Sequence, residues 1–319
     1  MRVHIGDGVR PFVDVDGFGL SRMTTARRCE TARRSSPCTA VLASITSDRS
    51  LLLDVPAAIE LAERALALDP APGTAYGYLP QAAAVGAFNY SNRAGDAVAI
   101  CRDMIPIFEG FGDLWGHTYM CANLALSAAL EGDLPGAIEA GDTGVALAER
   151  CGNPTLVAYA SFALGMVHGV AGDAEGAAAD LRLALSLAVE VRNAWISAMA
   201  GVSTNWAAAD LDPAETLARG LDAVDALQRT GWATHAWNAA WFLPQWLLTL
   251  GRAEEAAFVQ GACATSGVNA VLADAHIELA ALPGMGDPAL IARYRQGERR
   301  TLAEIIRVLR GEAPLPVVR

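Results

Sequence analysis

The segment ALGMVHGVAGDAEGAAADLRLALSLAVE, residues 163–190, decides the fold. Its opening is apolar and free of formal charge, and its close mixes charged and apolar residues at helical spacing. Between them stands Gly172-Asp173. Glycine takes the left-handed conformation that ends a helix, and the following carboxylate accepts from the free N–H groups that open the next one. The segment therefore predicts an apolar helix, a tight turn and an amphipathic helix over 174–190. In that second helix Ala177, Leu181, Ala184, Leu185 and Ala188 share a face, while Glu175, Asp180, Arg182 and Glu190 fall largely off it.

Outward from this segment the pattern repeats. Gly95-Asp96, Gly132-Asp133, Gly172-Asp173, Leu211-Asp212 and Gly251-Arg252 are spaced 37, 40, 39 and 40 residues apart. Uncharged windows at 71–92, 115–130, 151–172, 193–209 and 230–251 recur with them. A period of this length indicates a solenoid of helix pairs. The expected pairs are 73–92/96–109, 113–131/134–151, 154–171/174–190, 193–209/213–230 and 232–250/252–266. A lone helix at 55–68 precedes them, and helices at 268–281 and 288–310 follow, the latter opened by Asp287 and Pro288. In 134–151 the expected buried positions are Ile138, Val145 and Ala148. The first helix of each pair is apolar all round, as befits an element covered on both sides.

The uncharged windows are not read as membrane spans. Pro72, Pro80, Asn89, His117, Asn123, His168, Asn205, His235, Asn238 and Gln245 interrupt them. The stretches between them are charged and amphipathic.

Composition narrows the function. The 319 residues are 53% apolar with a formal net charge of -11, and 64 of them are alanine. All 24 basic residues are arginine. Without lysine there is no Walker A loop, no kinase-type strand lysine, no Schiff base and no Ser-x-x-Lys acylation. The acidic balance argues against a nucleic-acid surface, where affinity comes largely from neutralised phosphates. Charge shifts near residue 50: residues 1–50 hold eight Arg against five acids, and the remainder sixteen against thirty. Residues 1–50 read as a poorly ordered basic leader with no apolar signal core, 51–267 as the repeats, and 268–319 as capping helices and tail. Cysteines 29, 38, 101, 121, 151 and 263 lack metal spacing, and free thiols in a reducing cytoplasm fit best.

Leu164-Gly165, Gly172-Asp173, Ala177 and Ala184-Leu185-Ser186-Leu187 resemble a tetratricopeptide repeat at its consensus spacing. Ala65-Leu66-Ala67-Leu68-Asp69-Pro70 resembles the closing segment of that repeat. Leu124-Ala125, Gly132-Asp133 and Ala137 match a second copy, with Gly144 in place of the usual alanine. Gly251, Ala256 and Cys263 match a third, in which Pro244 replaces a small residue. The copies run nearer 40 residues than 34, and the resemblance spans about residues 55–266. It implies an all-α, right-handed superhelix of antiparallel helix pairs whose first helices line the concave surface. On that implication, Tyr119, Phe162, Met166, Asn205, Trp241 and Gln245 form the binding surface.

A second resemblance concerns the layout. Arg252 through Ala257, Gly261-Ala262, Asp287 through Tyr294, Gln296-Gly297-Glu298-Arg299 and Thr301 through Ile305 resemble the C-terminal helical region of actinobacterial ATPase regulators. Such regulators add LuxR-type, winged-helix or class III cyclase domains. The resemblance implies a sensor or scaffold arm without a nucleotide site of its own.

Other motifs carry less. Phe12 through Phe18, with Asp14 and Asp16, resembles the metal-binding strand of class III cyclases, but no cyclase-sized domain follows. His117, His168, His235 and His276 sit singly on different helices, with no pair spaced to hold zinc. Trp232, Trp237, Trp241 and Trp246 crowd into fifteen residues, with Trp195 and Trp206 one repeat earlier. They read either as filling between the many alanines or as an aromatic-lined groove. The expectation is a non-catalytic cytoplasmic arm that binds a protein or peptide partner, or a small-molecule effector. It has no cofactor and no metal, and it contacts neither nucleic acid nor membrane. The competing readings are a ligand-sensing transcriptional regulator fragment and a truncated cyclase or ATPase.

Overall fold

The computed structural model describes residues 54–68, 78–91, 93–207, 212–266, 268 and 287–316, the side chains of 205–207 excepted. The leader at 1–50, with Asp14 and Asp16, and the expected helix at 268–281 beyond Val268, with His276, lie outside these residues.

Among the described residues the structure is helical throughout, with no strand. A lone helix, α1 (Val55–Ala67), leads into α2 (Leu79–Asn89) and α3 (Ala94–Gly110), the first pair. Then come α4 (Leu114–Leu130) with α5 (Leu134–Cys151), α6 (Pro154–Val170) with α7 (Ala174–Glu190), and α8 (Ala194–Ala207) with α9 (Pro213–Arg229). In the fifth pair the first helix is broken into α10 (Ala233–Ala240) and α11 (Leu243–Thr249), which pack with α12 (Ala253–Ala264). Helices α13 (Pro288–Gly297) and α14 (Leu302–Leu309) close the stack. The chain is a tetratricopeptide-like α-solenoid, as its period implied.

The turns are built largely as the sequence requires. Gly132, Gly172 and Gly251 hold φ of 82°, 81° and 72°. Asp133 accepts from Gly136 N–H at 3.1 Å, Asp173 from Gly176 N–H at 2.9 Å and Asp212 from Ala214 N–H at 3.1 Å. Each carboxylate thereby satisfies a helix-opening donor. The first of the expected turns is displaced. Gly95 and Asp96 lie inside α3, whose cap is Arg93, and Asp96 pairs with that arginine at 2.6 Å. The turn comes instead between α2 and Arg93, where Phe88 O accepts from both Ser91 and Arg93 N–H at 3.1 Å.

A second series of turns links one pair to the next. Gly112-Asp113, Gly152-Asn153 and Arg192-Asn193 put a left-handed residue before a capping side chain, and left-handed Gly231 precedes Trp232, which opens its helix without a side-chain cap. Arg192 holds φ of 56° in a place where the sister turns use glycine.

Helix interiors follow the pattern of small residues. Helix α7 buries Ala177, Ala178, Leu181, Ala184 and Ala188, while Leu185 is half-buried. In α5 the buried face is Ala137, Ala140, Gly141, Gly144, Leu147 and Ala148. Ile138 and Val145, expected there, are only half-buried. The cause is close approach: a Cβ on Gly141 would stand 2.7 Å from Leu164 Cδ1, well inside normal contact. The first helices α4 and α6 bury ten residues each, because α6 packs on α4, α5, α7 and α8.

Two expected long helices are broken. The stretch 232–250 breaks at Trp241-Phe242, just before Pro244, whose ring and missing N–H disrupt a continuous helix. The stretch 288–310 breaks after Gly297. Arg299 there has φ of 65°, and Thr301 and Glu304 form a reciprocal capping box that starts α14.

Candidate functional site

Along one side of the stack runs a column of aromatic rings. Tyr78, Tyr119, Tyr159, Trp195 and Trp232 are spaced 41, 40, 36 and 37 residues apart, one per first helix or its entry. Trp115, one turn before Tyr119, stacks on it with rings 5.5 Å apart and 5° from parallel. Tyr78 meets Trp115 at 6.1 Å, Tyr119 meets Tyr159 at 5.7 Å, Tyr159 meets Trp195 at 5.6 Å, and Trp195 meets Trp232 at 6.1 Å. These separations suit offset and tilted aromatic packing. Every ring in the column is half-buried, so each rests on the core and keeps part of its surface outward.

Polar groups back the column. The Tyr159 hydroxyl donates to Asn123 Oδ1 at 3.2 Å, and Asn123 Nδ2 donates to Tyr119 O at 2.8 Å. Deeper in, Ser127 Oγ donates to Asn89 Oδ1 at 2.8 Å, tying the first pair to the second. Burial pushes the Tyr159 hydroxyl far above its ordinary pKa, so it stays protonated.

At its far end the column meets a closed cluster. The His235 ring contacts Tyr90 at 5.2 Å, Trp195 at 5.3 Å and Trp232 at 5.3 Å, edge to face in every case. Tyr90 ends α2 of the first pair, and His235 lies in α10 of the fifth. A face on which the first pair touches the fifth is one toward which the stack curves. Burial lowers the His235 pKa to about 3, so the imidazole is neutral. Among the described residues, His235 Nδ1, Asn238 Nδ2 and Trp195 Nε1 are sealed from solvent without a hydrogen-bond partner.

The expected binding residues fare differently. Tyr119 stands in the column. Trp241 is half-buried and its indole N–H donates to Val268 O at 3.2 Å, while Gln245 is exposed. Asn205 lies in α8, its side chain outside those described. Phe162 and Met166 do not line a surface. They are 4% and 2% exposed, packed in the main core, because a first helix is covered on both flanks. Trp246 is likewise a filler: it is buried over Gly220, where a Cβ would overlap its ring.

The chemical inventory is short. Among the described residues no group of three or more His, Cys, Asp or Glu could hold a metal, and no helix is long and apolar enough to cross a membrane. His168 Nδ1 lies 2.9 Å from Asp180 Oδ2 between α6 and α7, and burial raises the Asp180 pKa against the pull of His168. Cys101 and Cys121 are free and buried, with burial pushing their thiols up to about 12 and about 11. Such thiols are poor nucleophiles.

No protein-family model matches this chain, and no curated protein does. Among solved structures it is similar to a Signal Transduction ATPase with Numerous Domains (STAND) protein with a tetratricopeptide repeat sensor, from Pyrococcus horikoshii. The two share 14% identity at a TM-score of 0.54, over 91% of this chain and 41% of that one. The chain therefore spans less than half the length of that neighbour, and the likeness is one of fold.

Proposed function

We propose that this chain is a non-catalytic scaffold or sensor arm of a cytoplasmic regulatory system, binding a protein or peptide partner along the concave side of its helix stack. The observation that carries this reading is the column from Tyr78 to Trp232: large rings, part exposed, repeating once per helix pair. Tryptophan and tyrosine supply contact area at little entropic cost, and they dominate binding hot spots. An array of equivalent rings suits an extended ligand crossing several repeats. Support comes from the neighbour, whose tetratricopeptide region is described as a sensor. Tyr119, Asn205, Trp241 and Gln245 belong to the proposed surface, within repeats at 51–267 capped by 268–319. The partner system is of the ATPase-regulator kind that the C-terminal resemblance implies, LuxR-type regulators included.

Selection of displayed peptides tests the reading, with Tyr119→Ala/Tyr159→Ala protein as the parallel target. Sequences enriched on the wild-type chain and lost on the double variant are expected. Equal enrichment on both proteins, or none on either, overturns the proposal.

A further inference from the structure

The cluster around His235 has a property that the rest of the column lacks. Buried polar groups in folded proteins almost always find a hydrogen-bond partner, because leaving one unmade costs stability. Here three belong to residues that are neighbours in the fold. His235 and Asn238 lie on successive turns of α10, 6% and 7% exposed, and the Trp195 ring packs directly on His235. None of His235 Nδ1, Asn238 Nδ2 and Trp195 Nε1 has a partner among the described residues. The rings of Tyr90, Trp195 and Trp232 all pack on the His235 imidazole, one helical turn before Asn238.

From this juxtaposition we infer a small-molecule site, bounded by Tyr90, Trp195, Trp232, His235 and Asn238, that takes a planar, uncharged ligand bearing hydrogen-bond acceptors. The indole N–H and the amide N–H can only donate, and the neutral imidazole can donate or accept, so the ligand must bring acceptors. Aromatic walls select a flat ligand that slides between rings. The residues that bound the site include no arginine to hold an anion and no carboxylate to hold a cation. Tyr90, at the end of α2, supplies the wall that comes from the first pair. This inference does not rest on the peptide reading, since the column from Tyr78 to Tyr159 can bind or fail to bind independently of it.

The test uses the full chain labelled with ¹⁵N. The indole N–H resonance of Trp195 is the one missing from the Trp195→Phe spectrum. Nicotinamide, indole-3-carboxamide and caffeine serve as neutral acceptor probes, with benzoate and benzyltrimethylammonium as charged comparators. At least one neutral probe is expected to shift that resonance at concentrations up to about 5 mM and to bind at least about tenfold tighter than either ion. Asn238→Leu keeps the volume and removes the donor, and it is expected to weaken that probe about tenfold while preserving the helical circular dichroism. The inference is overturned if no neutral probe moves the resonance, if an ion binds as well, or if Asn238→Leu binds like the wild type. Loss of peptide selection with probe binding intact sinks only the peptide reading, and the converse sinks only this one.

Discussion

Replacing Gly261 by alanine tests the closure of the stack. Helices α12 and α13 cross where Gly261 faces the Tyr294 backbone and Gly297 faces the Phe258 backbone. A Cβ on Gly261 would overlap the Tyr294 carbonyl oxygen and lie 2.8 Å from its carbon. Normal carbon contact is about 3.5–4.0 Å, so the helices must part by roughly 1 Å. Neither partner is a side chain that can rotate away. The cost belongs at the upper end for overpacking, about 3 kcal/mol. Alanine recovers about 1 kcal/mol through its helix propensity, leaving a net loss of about 2 kcal/mol. Gly201→Ala is the matched control. It lies inside α8 with nothing within 4 Å of its Cβ position, so the same change there should stabilise by about 1 kcal/mol. Urea unfolding followed at 222 nm gives both values, and hydrogen exchange over 253–264 and 288–297 localises the loss. If Gly261→Ala is as stable as the wild type, the helices do not cross this closely and the reasoning fails.

Three further outcomes follow from the geometry. Arg192→Gly relieves a left-handed backbone that costs about 1–2 kcal/mol in a non-glycine residue, and should raise stability by about 1 kcal/mol after the added unfolded-state entropy. Asp173→Ala removes the cap of α7 and should cost about 1 kcal/mol in the same urea experiment, whereas Asp173→Asn should cost little. The third concerns pH. With His235 held neutral down to about 3 in the fold, the unfolded chain alone takes up its proton as pH falls below about 6.5. Stability is then lost on acidification, by about 2 kcal/mol between pH 6.5 and 5.0. His235→Phe should flatten that part of the profile in pH-dependent unfolding curves, and an unchanged slope would place the imidazole in contact with water.

Much of the architecture is legible because turns and periodicity are local. Gly132-Asp133 and Gly172-Asp173 announce their turns in two letters, and the structure uses both as expected. Gly95-Asp96 carries the same letters and fails, since nothing local distinguishes a helix-ending glycine from one inside the first turn of α3. The break before Pro244 is chemically explicit, yet a proline near a helix start is also common, so periodicity alone leaves 232–250 continuous. The site is harder to read. Phe162 and Met166 share the first-helix register, but which side of a doubly covered helix stays outward depends on how neighbouring pairs twist. A signal for the column does exist in the sequence: an aromatic every 36 to 41 residues from Tyr78 to Trp232. The dense tryptophans at 232–246 draw attention away from it. Nothing local foretells that Tyr90 meets His235, since 145 residues separate them.

That meeting bears on how the molecule unfolds. In a linear array each unit couples only to its neighbours, so ends fray and interior units melt in sequence. Ring contact between Tyr90 and His235 adds a coupling that skips three pairs. Loss of either end then removes a restraint from the other, and the domain melts more nearly as a single unit than its repeat architecture dictates.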